Sequence, residues 1–140
     1  MGITYQSDVE GIKHDQVAEG FFQGWPNAPS PAVFMKLLRQ SYAVEIAVDE
    51  GTGKVVGFIQ AISDGVLSAY IPLLEVVPSY QGQGIGSQLL ERMNKRLGDL
   101  YMIDLLCDEE LQKFYERKGM RKASGMMIRH YANQAGKGEA

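Results

Sequence analysis

Cysteine is almost missing from this chain: Cys107 is the single one in 140 residues. No internal disulfide can form, and such usage fits a reducing compartment. No run of about 18 apolar residues is present to span a bilayer as a helix. The opening residues, M-G-I-T-Y-Q-S-D, lack the basic and apolar regions of a secretory leader. A basic excess is missing too. Lys and Arg number 14 against 17 Asp and Glu, a net charge of −3, which argues against nucleic acid as the main partner. There are two histidines, His14 and His130, and neither they nor the acids stand at metal-ligand spacing, so no metal site is expected. These absences lead to the expectation of a soluble, cytoplasmic protein with neither membrane nor nucleic acid as partner, a monomer or a homodimer.

What is present is ordinary globular material, 45% hydrophobic and 22% charged. A length of 140 residues suits one domain with a sizeable core. The reading is a single domain over residues 1–131 and a disordered Gly- and Ala-rich tail over 132–140. Residues 2–6 read as a short strand. Val9, Ile12, Val17, Phe21 and Phe22 give residues 8–22 a loose helical pattern. Ser30-Pro31 starts a second helix that runs to about Gln40, with Ser as N-cap and Pro in the first turn. Strands are expected over 42–49 and 54–63, joined by a hairpin turn at 50–53, then a long strand over 66–77 stopped by Pro78. A helix follows with Ile85, Leu89, Leu90, Met93 and Leu97 on one face. Residues 101–107 read as a strand covered on both sides, 108–118 as a helix capped by Asp108 and ended by Gly119, and 124–131 as a last strand.

The most informative segment is V-V-P-S-Y-Q-G-Q-G-I-G, residues 76–86. Gly82, Gly84 and Gly86 follow a strand and open a helix. Residues without a Cβ let a ligand approach the backbone closely. The first N–H groups of a helix lack internal acceptors and sit at the positive end of its dipole, so this loop reads as a cradle for a phosphate or pyrophosphate. It is not a P-loop, because no lysine follows the glycines in that register. It is a poor Rossmann fingerprint too: Leu89 stands where the third glycine is needed.

The segment resembles motif A of the Gcn5-related N-acetyltransferases (GNAT), Q/R-x-x-G-x-G/A, whose fixed positions are filled by Gln81, Gly84 and Gly86. The preceding L-E-V-V-P (74–78) is similar to that family's fourth strand, and F-Y-E-R-K-G-M (114–120) to its motif B. The resemblance covers about residues 2–131. It implies an α/β fold with a mixed, mostly antiparallel central sheet flanked by helices, in which strands four (66–77) and five (101–107) splay apart. It also implies acetyl-CoA as co-substrate. Its pantetheine arm would lie in the gap on the backbone of Val76 and Val77, with the Val76 amide polarising the thioester carbonyl. Its pyrophosphate would rest on the amides of Gln81, Gly82, Gln83, Gly84, Ile85, Gly86 and Ser87.

The implied chemistry is direct attack of an amine on the acetyl carbonyl, which raises two proton problems. Tyr115 takes the family's place for the donor to the departing sulfur; the alternative is a core aromatic packed on Met120. Glu75, a carboxylate inside an apolar strand, is the candidate base, with Asp104 and Asp108 behind it. Alternation also allows Glu75 to pair across the sheet with Arg92. In many relatives the acidic residue lies nearer the start of the strand, where this chain has Ala69, Tyr70 and Ile71. Cys107 reads as a small buried hydrophobe rather than an acyl carrier. In the family the loop between the first two helices borders the acceptor, which here brings Phe22 and Trp25 beside Pro26 and Asn27; a plug for the end of the core is the other reading of Trp25. The expected acceptor is a small-molecule amine. A protein lysine, a peptide N-terminus or a non-catalytic acyl-CoA-binding role are the alternatives.

Overall fold

The computed structural model describes residues 2–138. Strand β1 (Ile3–Gln6) pairs antiparallel with β2 (Ala43–Asp49), and β2 with β3 (Val55–Ser63), around the turn expected at 50–53. Helix α1 (Pro31–Arg39) begins as its sequence dictates: the Ser30 side chain accepts the Val33 N–H at 3.2 Å and Pro31 occupies the first turn. Its Phe34, Met35 and Leu38 are buried.

The long strand expected over 66–77 is broken in two. Strand β4 (Ser68–Tyr70) pairs with the end of β3, and β5 (Leu74–Val76) pairs with the middle of β3, in the register Gly57–Val76, Phe58–Glu75 and Ile59–Leu74. Ile71, Pro72 and Leu73 lie between them outside any strand, and Pro72 has no N–H to give to a ladder. Strand β6 (Met102–Asp104) runs parallel to β4 and does not pair with β5. The sheet is therefore mixed and mostly antiparallel, and it opens between β5 and β6, as the family resemblance implied.

Helix α2 (Ile85–Arg96) covers one face of the sheet with Ile85, Leu89, Leu90 and Met93, all buried, and Leu97 just beyond its end. It comes close at Gly57, where an added Cβ would stand 3.2 Å from Leu89 and 3.3 Å from Ile85. The opposite face buries Phe22, Phe34 and Phe58 under α1. Glu45 is 1% exposed and bridges the α2 side through Arg92 Nε at 2.7 Å and Arg96 NH1 at 2.8 Å.

Four local readings are corrected. The strand expected over 101–107 is reduced to Met102–Asp104 and is not covered on both sides, since Met102 and Asp104 are exposed. Residues 8–22 form no α-helix: Gly11 and Gly20 take positive φ, a single 3-10 turn spans His14–Gln16, and Val17 bridges to Val55. Its apolar residues still pack inward, but as an irregular strap whose Ala18 N–H is satisfied by the Val55 carbonyl at 3.1 Å. The helix expected over 108–118 is shorter, a 3-10 turn Glu109–Leu111 followed by α3 (Gln112–Glu116), and the Asp108 side chain makes no cap. Residues 124–131 contribute no strand. Residues 124–130 are exposed and have no ladder partner among the described residues, and Tyr131 opens a 3-10 turn, Tyr131–Asn133. Beyond them, Asn27 N–H donates to Gln134 Oε1, and Lys36 Nζ donates to the carbonyls of Lys137 and Gly138.

Candidate functional site

The open side of β5 is defined by hydrogen-bond alternation. Val77 N–H donates to the Val56 carbonyl and Gln60 N–H to the Leu73 carbonyl. In an antiparallel ladder those bonds make Glu75 the next residue to exchange bonds with β3, and turn the backbone groups of Leu74 and Val76 towards the gap. Val77 is thus excluded as a backbone contact for a ligand: its N–H is in the ladder and its carbonyl accepts Tyr80 N–H at 2.9 Å. Leu74, which the motif reading passed over, presents its amide in the same direction as Val76. The signal for it was the two-residue period, usable once the partner of β5 was known. Across the gap, Ile71 N–H donates to the Asp104 carbonyl, after which Leu105, Leu106 and Cys107 lie outside any strand.

Where β5 ends, Gln81 Nε2 donates to the Val76 carbonyl at 2.9 Å, and Gln81 N–H closes a 3-10 turn on Pro78. Gln81 therefore acts through its side chain, locking strand to loop, and its amide is not free for a ligand. The next six amides, Gly82 to Ser87, have no hydrogen-bond acceptor among the described residues. Gly82 (φ 79°) and Gly84 (φ 84°) adopt the left-handed conformation that only glycine takes at little cost, and a Cβ on either would meet open space within 4 Å. Gly84 caps α2 without a side-chain bond, leaving the positive end of a 12-residue helix uncovered. Gly86 differs. It lies inside the helix, and a Cβ there would make ordinary contacts with Val76 at 3.8 Å and Phe114 at 3.9 Å. Consecutive free amides with alternating left-handed glycines form an anion-binding nest, and the group they fit is a pyrophosphate.

Tyr115 on α3 is half-buried at the edge of the core, against Phe114 (ring centroids 5.0 Å). It lines a pocket of about 120 Å³ with Leu105, Cys107 and Met120. Burial, and secondarily Cys107, pushes its hydroxyl pKa up to about 12. Cys107 is itself half-buried, its thiol pKa raised by burial and then by Asp108.

Glu75 shares a sheet face with Phe58. Its Oε1 accepts Phe22 N–H at 2.7 Å, and burial raises its pKa against the lowering effect of that bond. It does not pair with Arg92, which is bound to Glu45. On the same face lies a cavity of about 650 Å³, at the break between β4 and β5, bordered by Trp25, Gln60, Tyr70, Pro72, Leu73 and Arg129. Phe22 is excluded from its wall: it is buried against Phe34 and Trp25. Trp25 does face the cavity, stacked at a tilt on Phe22 with ring centroids 4.9 Å apart. Gln60 and Arg129 were not singled out by sequence reasoning, which had no means of bringing β3 and the C-terminal segment to one wall.

Among known proteins, a structure from Deinococcus radiodurans R1 classed as an acetyltransferase is 44% identical over 98% of this chain and 94% of that one, with a TM-score of 0.93. A GNAT family protein of Streptococcus pneumoniae TIGR4 is 27% identical over 92% of this chain and 98% of its own, with a TM-score of 0.69. The soybean protein named histone acetyltransferase TAP1 is 32% identical over 69% of this chain, but the match spans only 46% of that protein. This chain thus spans about half the length of the first curated relatives it matches. The family model described as "Acetyltransferase (GNAT) domain" matches residues 40–121, which contain the glycine cradle, the split strand, β6 and Tyr115. The chain belongs to the GNAT family of acetyltransferases.

Proposed function

We propose that this protein transfers the acetyl group of acetyl-CoA to a primary amine, in one direct step. The observation that carries the reading is the row of free amides from Gly82 to Ser87 beside the open edge of β5. The cradle suits the pyrophosphate, and the Leu74 and Val76 amides suit an extended amide-bearing arm laid alongside the strand as an extra partner. Acetyl-CoA supplies an acyl carbon activated by a thiolate leaving group.

An N–H on the β5 edge polarises the acetyl carbonyl, as oxyanion donors do. The amine nitrogen bonds to the carbonyl carbon, the carbon–sulfur bond breaks, and the sulfur receives the hydroxyl proton of Tyr115. Burial keeps the Tyr115 hydroxyl protonated at neutral pH, so that it stands as a hydrogen-bond donor to the departing sulfur. The attacking amine must shed a proton, and Glu75 is the carboxylate on the cavity's face of the sheet. Its Oε1 holds Phe22, its Oε2 has no partner among the described residues, and burial makes it a better proton acceptor than an exposed glutamate.

The acceptor occupies the cavity beside Trp25. A volume of about 650 Å³ is of the size that holds a small molecule, so a small amine is favoured over a protein side chain. The soybean relative's name keeps a peptide lysine as the competing acceptor. The proposal includes a single catalytic domain working in the cytoplasm.

Two measurements test this. Titration calorimetry with acetyl-CoA is expected to give one site per chain, and release of the free CoA thiol is expected to require an added amine. A panel holding small amines and a lysine peptide separates the two acceptor classes. Absence of acetyl-CoA binding ends the proposal.

A further inference from the structure

The wall of the acceptor cavity carries one sign of charge. Arg129 is its charged residue, and no carboxylate is among the described residues that line it. Among the described residues the guanidinium also has no carboxylate partner. Its hydrogen bond is a long one, from NH1 to the carbonyl of its own neighbour Ile128 at 3.4 Å, which leaves most of its donors open. The other arginines near the sheet behave differently: Arg92 and Arg96 are both tied to Glu45.

Opposite polarity is offered elsewhere on the wall. Ser41 Oγ donates to the Leu37 carbonyl at 2.8 Å and accepts Gln60 Nε2 at 2.7 Å. That chain fixes the direction of the Gln60 amide and leaves its Oε1 without a donor. No buried polar atom among the described side chains is unsatisfied, so this oxygen opens onto the cavity that Gln60 lines. Trp25, Leu37, Ile62, Pro72 and Leu73 supply apolar surface. The cavity therefore offers a cation, a neutral acceptor for N–H or O–H, and an aromatic wall. A polycationic amine would find no counter-charge here.

We propose that the acceptor is a zwitterionic amine, carrying an anionic oxygen group (carboxylate or phosphate) that Arg129 binds while Gln60 Oε1 receives the ammonium or hydroxyl end. An arginine fork matches the oxygens of either anion in two parallel hydrogen bonds. The inference rests on the acetyl-transfer reading above and names its substrate class.

The test uses matched pairs of amines with and without the anion: phenylalanine with phenethylamine, tryptophan with tryptamine, phosphoethanolamine with ethanolamine. Spermidine serves as a cationic control. CoA-thiol release is measured for the full chain and for Arg129→Ala and Arg129→Lys, alongside calorimetric titration with acetyl-CoA. The anionic member of at least one pair is expected to lead in kcat/KM by about 10- to 100-fold, the range for a charged hydrogen-bonded pair. Arg129→Ala should erase that lead through KM with acetyl-CoA affinity unchanged, and Arg129→Lys should restore part of it. The carboxylate and phosphate pairs tell the two anions apart. Equal or better turnover of the neutral or cationic amines, or a lead that survives Arg129→Ala, overturns the inference and leaves acetyl transfer standing. Acetyl-CoA binding with no amine of the panel accepted also overturns it. Failure to bind acetyl-CoA removes the underlying reading instead.

Discussion

Glu75 and Phe22 are joined at 2.7 Å by a bond from the Phe22 N–H to Glu75 Oε1, and Phe22 is the one non-glycine residue with positive φ (60°) among those described. A carboxylate on the central sheet thus holds a strained residue of the strap that places Trp25 at the cavity. One side chain thus ties the strap to the sheet.

Removing that acceptor separates its two roles. Glu75→Leu leaves a half-buried N–H unsatisfied and should lower stability by about 1–3 kcal/mol. Glu75→Gln keeps an oxygen for Phe22, so its melting temperature should stay near that of the parent while kcat falls by about 10²–10⁴-fold. Full activity in a well-folded Glu75→Gln would assign proton removal to water.

The raised Glu75 pKa also fixes a direction with pH. The folded chain holds this proton to higher pH than the unfolded chain does, so stability from this group falls as pH rises through the window just above the ordinary glutamate value of 4.5. Chemical denaturation at a series of pH values should show that slope reduced in Glu75→Gln.

Gly84 and Gly86 of the cradle should respond differently. Gly84→Glu places a side chain in the anion site and forces a left-handed backbone, costing about 1–2 kcal/mol, and acetyl-CoA binding should vanish from a folded domain. Gly86→Ala meets only ordinary contacts inside α2 and should hold or raise stability by up to about 1 kcal/mol. Calorimetry and thermal melts on both variants check this, and near-parental affinity in Gly84→Glu would remove the cradle assignment.

Tyr115→Phe keeps the ring and deletes the proton. Loss of a general acid typically costs about 10²–10⁴-fold, so kcat should fall while acetyl-CoA affinity and melting temperature stay close to the parent. With a folded pKa of about 12 against 10.0, the parent should lose more stability between those pH values than the variant does. A large drop in melting temperature at neutral pH would mean that the hydroxyl is structural.

The Glu45 network is unequal in its two halves. Glu45 is 1% exposed, whereas Arg92 and Arg96 are 34% and 37% exposed. Removing both arginines leaves a buried charge unpaired and should cost about 3–5 kcal/mol. Glu45→Leu leaves two cations that reach water and should cost less. Urea unfolding of the two variants gives the order directly.

Local chemistry was legible wherever a residue acts through its own backbone or its immediate neighbours. Ser30-Pro31 sets the start of α1, the spacing of Ile85, Leu89, Leu90 and Met93 sets the buried face of α2, and the left-handed demands of Gly82 and Gly84 set the open cradle before it. Motif spacing carried the family and the split between the fourth and fifth strands. What needed tertiary structure was every feature set by a partner distant in sequence. The strap over 8–22 has helical spacing, yet Val17 and Ala18 find β3 and no helix forms. Val77 lies in the same apolar run as Val76, but only the register with Val56 tells which amide faces the gap. Arg129 reads as one cation among 14 Lys and Arg until the fold brings it to one cavity with Trp25 and Gln60. Backbone preference is short-ranged and written in the chain residue by residue. Pairing and cavity walls depend on which distant surfaces the whole core allows to meet.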